Sequence, residues 1–168
     1  MSTSEQIFLD LVAADLADNF GKQSVTRNND SIVLKGNIDA LSDKGYLPCV
    51  TDSLVKIAIR RYAAMSNWGK ETESEEGYKN FYMQLSSGEQ SVLDSIIASV
   101  YESKFELQIS ADDKSGKIEF KVDFTCTDRD GEKIAREWPS HADTKQLDPE
   151  QLASWFNDNL KDPERFCL

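Results

Sequence analysis

Long apolar runs, histidine and cysteine are what this sequence has least of. Nowhere do 18 apolar residues follow one another, and Asp10, Asp15 and Asp18 punctuate the first apolar segment, so no membrane-spanning helix is expected. Met1 to Glu5 carries no basic stretch of the kind that opens a secretory signal. The single histidine, His141, lies in a Pro/Ser/Asp-rich stretch, and any Ser–His, Cys–His or multi-histidine zinc chemistry would have to pass through it. Cys49, Cys126 and Cys167 are odd in number and far apart, which predicts neither a disulfide framework nor a Cys-x-x-Cys metal knuckle. A reducing, cytoplasmic setting follows as the expectation. There is no Gly-x-Gly-x-x-Gly and no phosphate loop; Gly116-Lys117 falls between strands, away from any helix N-terminus that would hold a phosphate. No cofactor and no metal are therefore expected.

What is present is an ordinary globular composition with a strong charge bias. In 168 residues, 39% are hydrophobic and 29% charged, which is enough to build one core and far from the composition of disordered chains. The formal charge is −11 and is spread along the chain, with no single tail accounting for it. A negative field of this size repels nucleic acid and anionic lipid and speeds encounter with basic proteins. Arg60-Arg61-Tyr62 is a small basic-aromatic cluster, but inside a helix of so acidic a protein it reads first as a salt-bridged face.

Hydrophobic periodicity gives the elements. Ile7, Phe8, Leu11, Val12, Leu16 and Phe20 share one helical face, predicting a helix over about 4–19, with Ser2 and Glu5 as a capping box. Ser24–Arg27 and Ser31–Gly36 flank Asn28-Asn29-Asp30 and predict a short hairpin. Residues 37–50 are mixed, and a second helix is expected from Thr51 or Asp52 to near Met65. Ser66–Gly77 reads as a mobile acidic loop or helix start. Helical stripes follow at Tyr78–Leu85 and Val92–Tyr101, the latter with Ser87 and Gln90 as a capping box. From Lys104 the period becomes two, predicting a three-strand antiparallel meander over about 104–138, with turns at Asp112–Gly116 and Asp128–Gly131 and an end at Pro139. Asp148-Pro149-Glu150 then starts a C-terminal helix over about 149–161. The expected architecture is a single α+β domain, 1–168, with helices packed on an antiparallel sheet.

Candidate chemistry is sparse. Asp128-Arg129-Asp130-Gly131-Glu132 resembles a calcium loop only superficially, since the aligned first ligand would be Cys126, and a hairpin turn explains the same residues. Cys126 on the apolar side of a strand reads as core. The acids are the more informative group: Glu71, Glu73, Glu75 and Glu76 crowd one segment, while Glu106, Glu119 and Asp123 fall on the outward row of the meander. These seven are the expected partner-binding residues. Acidity without catalytic residues predicts a small cytoplasmic protein-binding protein that is not an enzyme, an inhibitor or immunity protein covering the site of a basic toxin such as a nuclease. A secretion-effector chaperone is the close alternative, and a carboxylate-dependent hydrolase the alternative of a different class.

Overall fold

The protein is described by a computed structural model, which covers the chain apart from residues 1–2, 67, 115–116, 128–130 and 144–147. It is an α+β fold with a five-stranded sheet in the order β1-β2-β3-β4-β5, every neighbouring pair antiparallel. The strands are β1 (Val25–Arg27), β2 (Ser31–Asn37), β3 (Lys104–Lys114), β4 (Lys117–Thr127) and β5 (Lys133–Asp143). The expected meander is present and longer than its sequence limits. Asp112 and Asp113 continue β3 instead of turning, and β5 runs through Pro139 to Asp143. A proline is tolerated there because β5 is an edge strand, and on such a strand an amide can point away from the sheet. The turn tips and the calcium-like Asp128–Asp130 lie outside the described residues.

Alternation puts one set of side chains under helices and leaves the other set open. Ile32, Leu34, Phe105, Leu107, Ile109, Phe120, Val122 and Phe124 form the covered face. Two helices pack on it, α1 (Thr3–Phe20) through Phe8, Val12 and Leu16, and α6 (Pro149–Leu160) through Leu152, Phe156 and Leu160. Phe8, Phe120 and Phe156 meet at ring-centroid distances of 4.9 to 5.6 Å, close enough for aromatic attraction in addition to area burial. Helix α6 starts as its sequence announces, with Asp148 and Gln151 capping each other's backbone and Pro149 in the first turn.

The remaining helices are inserted between two strands that pair directly. The chain leaves β2 at Asn37, makes α2 (Ile38–Lys44), α3 (Pro48–Ala64), α4 (Glu75–Met83) and α5 (Ser87–Glu102), and re-enters the sheet at Lys104, the partner of Asn37. Helix α2 was not expected; it is short and ends at Gly45, whose φ of 72° is the left-handed conformation glycine adopts without a Cβ penalty. Helix α3 begins at Pro48, ahead of the predicted start at Thr51 or Asp52, because Pro48 occupies its first turn, where its missing amide hydrogen is no loss. In α5 the capping box is Ser86 with Glu89, one residue before the expected pair. A second, smaller core of Ile59, Ala63, Phe81 and Leu93 joins α3, α4 and α5, separate from the core under the sheet.

One expectation is overturned. Cys49, in the first turn of α3, is disulfide-bonded to Cys167 in the C-terminal tail, with their Cα atoms 4.9 Å apart. The tail is seated there by Trp138, whose indole N–H donates to the Cys167 carbonyl at 3.3 Å and whose ring meets Phe166 edge-on. Leu47, buried with a φ of 47°, donates its N–H to the Leu160 carbonyl at 2.7 Å and fixes the start of α3 against the end of α6. Cys126 remains a free, buried thiol.

Candidate functional site

The four clustered glutamates are ordered by backbone geometry. Lys70–Glu73 forms a 3-10 turn, and Ser74 caps α4: its Oγ accepts from the Gly77 N–H at 3.0 Å and donates to the Glu71 carbonyl at 3.1 Å. Gly77 must be glycine, since a Cβ there would stand 1.5 Å from the Glu71 carbonyl oxygen. Backbone groups of Glu71 itself and of Gly69 hold the Glu71 carboxyl below its ordinary value. Glu73 pairs with Arg60 at 2.8 Å and Glu75 with Lys79 at 3.7 Å, while Glu75 and Glu76 lie in the first turn of α4, where the helix dipole favours negative charge.

The charge bias continues beyond that cluster. From Glu71 to Ser103 the acids Glu71, Glu73, Glu75, Glu76, Glu89, Asp94 and Glu102 face the single base Lys79. With Lys70 of the preceding turn counted, α4, α5 and that turn hold seven acids against two bases, a net −5 of the chain's −11. The cations of α3 are each matched: Lys56 with Asp52 at 3.0 Å, Arg60 with Glu73, and Arg61 with Glu132 at 3.0 Å.

Between α3 and α5 lies an apolar groove of about 340 Å³. Leu54, Ile57, Ala58 and Met65 form one wall, Val92, Ile96 and Val100 the other, and Cys126 and Ile134 from the end of the sheet the floor. Its size and apolar lining are those of a binding cleft. Met65 and Val92 are 82% and 47% exposed, so apolar surface reaches the rim. The polar groups in the lining already have partners: Arg61 has Glu132, the Tyr62 hydroxyl donates to the Glu89 carbonyl at 3.2 Å, the Ser103 hydroxyl to the Ser99 carbonyl at 2.9 Å, and the Cys126 thiol to the Thr127 carbonyl at 3.8 Å.

Glu106, Glu119 and Asp123 stand apart from the other four predicted residues, on the open sheet face. Across the strands Glu106 faces Thr125, Asp112 faces Glu119, and Asp123 sits between Gln108 and Glu137. This face also carries bases. Lys35, Lys104 and Lys133 gather with Glu106 around a shallow hollow of about 610 Å³ at one end, and Lys121 bridges to Glu137 at 3.3 Å. Among the described residues the sheet face is thus mixed in charge, with Lys121 set among Glu119, Asp123 and Glu137. Partial burial, then the neighbouring Glu137, push the Asp123 carboxyl above its ordinary value, with Lys121 pulling against them.

The groove was missed in the sequence because its residues were assigned to core-facing stripes. The available signal was stripe width: in α5, Leu93 and Ile97 serve the small core, yet Val92, Ile96 and Val100 extend the apolar band onto a second surface. Among the described residues no His/Cys/Asp/Glu group is arranged to hold a metal ion, and no helix is long and apolar enough to cross a membrane. The chain matches no protein-family model, no curated protein and no solved structure.

Proposed function

We propose that this chain is a protein-binding protein that captures a basic partner on its α4–α5 side, and that its role is inhibitory, covering the positively charged site of a toxin, a nuclease first. The observation that supports the reading is the stretch from Lys70 to Ser103, seven carboxylates against two bases, whose helix α5 also forms one wall of an apolar groove. A site built to hold phosphates is positive, and a surface of carboxylates mimics them while long-range attraction speeds capture. Glu71, Glu73, Glu75 and Glu76 are the residues of this contact; Glu106, Glu119 and Asp123 are not, because the sheet face that holds them is mixed in charge.

The groove favours a second reading, a secretion-effector chaperone that shelters an apolar segment of its cargo. The hydrolase reading gains less: Asp123 and Glu137 are neighbours, but they lie on an open sheet face without walls to hold a substrate. A cytoplasmic location loses its argument from cysteine usage, since the Cys49–Cys167 bond suits an oxidising compartment.

The test is affinity capture from cell lysate on the tagged, disulfide-intact protein at low and moderate salt, beside a variant with Glu71, Glu73, Glu75 and Glu76 all changed to Gln. A single basic protein retained in near-stoichiometric amount by the wild type and lost at moderate salt by the variant is the expected result. Assay of that protein's activity with and without the chain then separates inhibitor from chaperone. Retention of no basic protein at either salt sinks the reading.

A further inference from the structure

We infer that the α3–α5 groove receives the apolar face of a basic amphipathic helix belonging to the partner; this rests on the protein-binding reading and assigns the contact within it. Three observations lead there. The walls run from Leu54 to Met65 and from Val92 to Ser103, about 16 Å each, which matches three turns of a third helix laid between them.

The second observation is the state of the polar groups. Arg61, Tyr62, Ser103 and Cys126 each already have a hydrogen-bond or ion-pair partner, so the groove rewards an occupant that brings apolar surface and does not ask for hydrogen bonds. An extended peptide would bury backbone N–H and C=O groups against walls that offer them no partner, whereas a helix satisfies its own backbone. The occupant is therefore helical, with apolar anchors at i, i+3, i+4 and i+7.

Charge sets the rest of its sequence. Glu89 lies one helical turn before Val92, and Glu102 closes the other end of α5. The cations of α3 are neutralised by Asp52, Glu73 and Glu132. The flanks of a seated helix thus meet net negative charge, which selects Lys and Arg on its outer positions and rejects Glu and Asp.

The probe is a synthetic amphipathic peptide of Leu anchors and Lys flanks, titrated by fluorescence anisotropy against the disulfide-intact protein. Two controls accompany it, a scrambled peptide of the same composition and one with Glu replacing Lys. The variant is Met65→Arg with Val92→Arg, both at exposed positions so that the fold is retained, as thermal unfolding will verify. The wild type is expected to bind the amphipathic peptide and both controls about tenfold more weakly, and the variant to lose about tenfold in affinity, the size expected when buried anchors are removed. Equal binding of the scrambled peptide, or unchanged affinity in the folded variant, overturns the inference. In the lysate experiment, a basic protein retained by both wild type and the Met65→Arg, Val92→Arg variant would leave the protein-binding reading standing and remove the groove from it. Loss of that protein from the folded variant supports the groove.

Discussion

The two halves of the molecule are built to different standards of closure. Under the sheet, α1 and α6 meet a continuous core in which Phe8, Phe120 and Phe156 are buried, and the strands contribute a full row of inward side chains. In the α3–α5 unit the separate core is small, Ile59, Ala63, Phe81 and Leu93, with Val50 and Leu54 of α3 joining the core under the sheet, while Met65, Met83 and Val92 remain exposed. Within that thinner unit the acids gather from Glu71 onward, ahead of and along α4 and α5. The less closed half carries the exposed apolar groove and a run of acids, and the better closed half forms the larger core.

Phe120→Ala and Phe81→Ala test this division most directly. Each removes a buried ring and costs about 3–5 kcal/mol. Phe120→Ala is expected to destabilise every element together, whereas Phe81→Ala should accelerate hydrogen exchange in α3–α5 well before it does so in β3 and β4. Equal acceleration in both halves would merge them into one cooperative unit.

The disulfide joins the halves, since Cys49 opens α3 and Cys167 lies on the tail held by Trp138. Cys49→Ser, or reduction, is expected to lower stability by about 3 kcal/mol, within the range of about 2–5 kcal/mol for long closed loops. Chemical denaturation with and without reductant checks it. An unchanged midpoint would mean that the tail is held by Phe166 and Trp138 alone.

Gly77→Ala acts only on the thinner half. Its Cβ collides with the Glu71 backbone, so a loss of about 2 kcal/mol is expected, with the 3-10 turn displaced from α4. Proteolytic nicking near Glu73 measures the displacement, and the sheet should be untouched.

On the closed side, the Tyr46 hydroxyl donates to Asn157 at 2.8 Å and accepts from Asn19 at 3.2 Å. Tyr46→Phe should cost about 1 kcal/mol at neutral pH. Burial, aided by Asp15, pushes the Tyr46 pKa up to about 12 from 10.0. The folded state therefore holds this proton more tightly, so its contribution is complete below about pH 10 and is lost as pH rises through 12. Unfolding curves between these limits should be flatter in the variant.

The smallest effect is Asp123→Asn. A carboxyl raised in the folded state favours folding only while it is protonated, so Asp123 weighs against the fold once both states are ionised. The substitution should stabilise by up to about half a kcal/mol at pH 7 and lose that advantage as pH falls below the carboxylate range, as paired unfolding curves would record.

Much of the fold was legible because its signals are local. The alternation from Phe105 to Cys126 announces strands, and Asp148-Pro149 with Gln151 announces α6. The disulfide was not legible, because its cysteines are 118 positions apart and only the completed fold brings them together. Helix α2 was hidden because it is only seven residues long, too short to show a periodicity within the mixed stretch 37–50. Of the seven predicted partner-binding residues, four lie together in the 3-10 turn and the first turn of α4. The other three share the open sheet face with lysines, which was not legible because a one-strand pattern cannot show which lysines the neighbouring strands bring across.

The segment holding α2–α5 departs and returns through paired residues, Asn37 and Lys104, and the Ile38 N–H even donates to the Ser103 carbonyl at 2.9 Å. Such a junction uncouples the length of the excursion from the register of the strands. Residues added or removed between α3 and α4 would change the reach of the acidic surface while leaving the β2–β3 ladder in step, and lengthening the closed loop adds only about 0.6 kcal/mol per doubling. The inserted helices can therefore diverge in sequence and size on a scaffold that need not change with them.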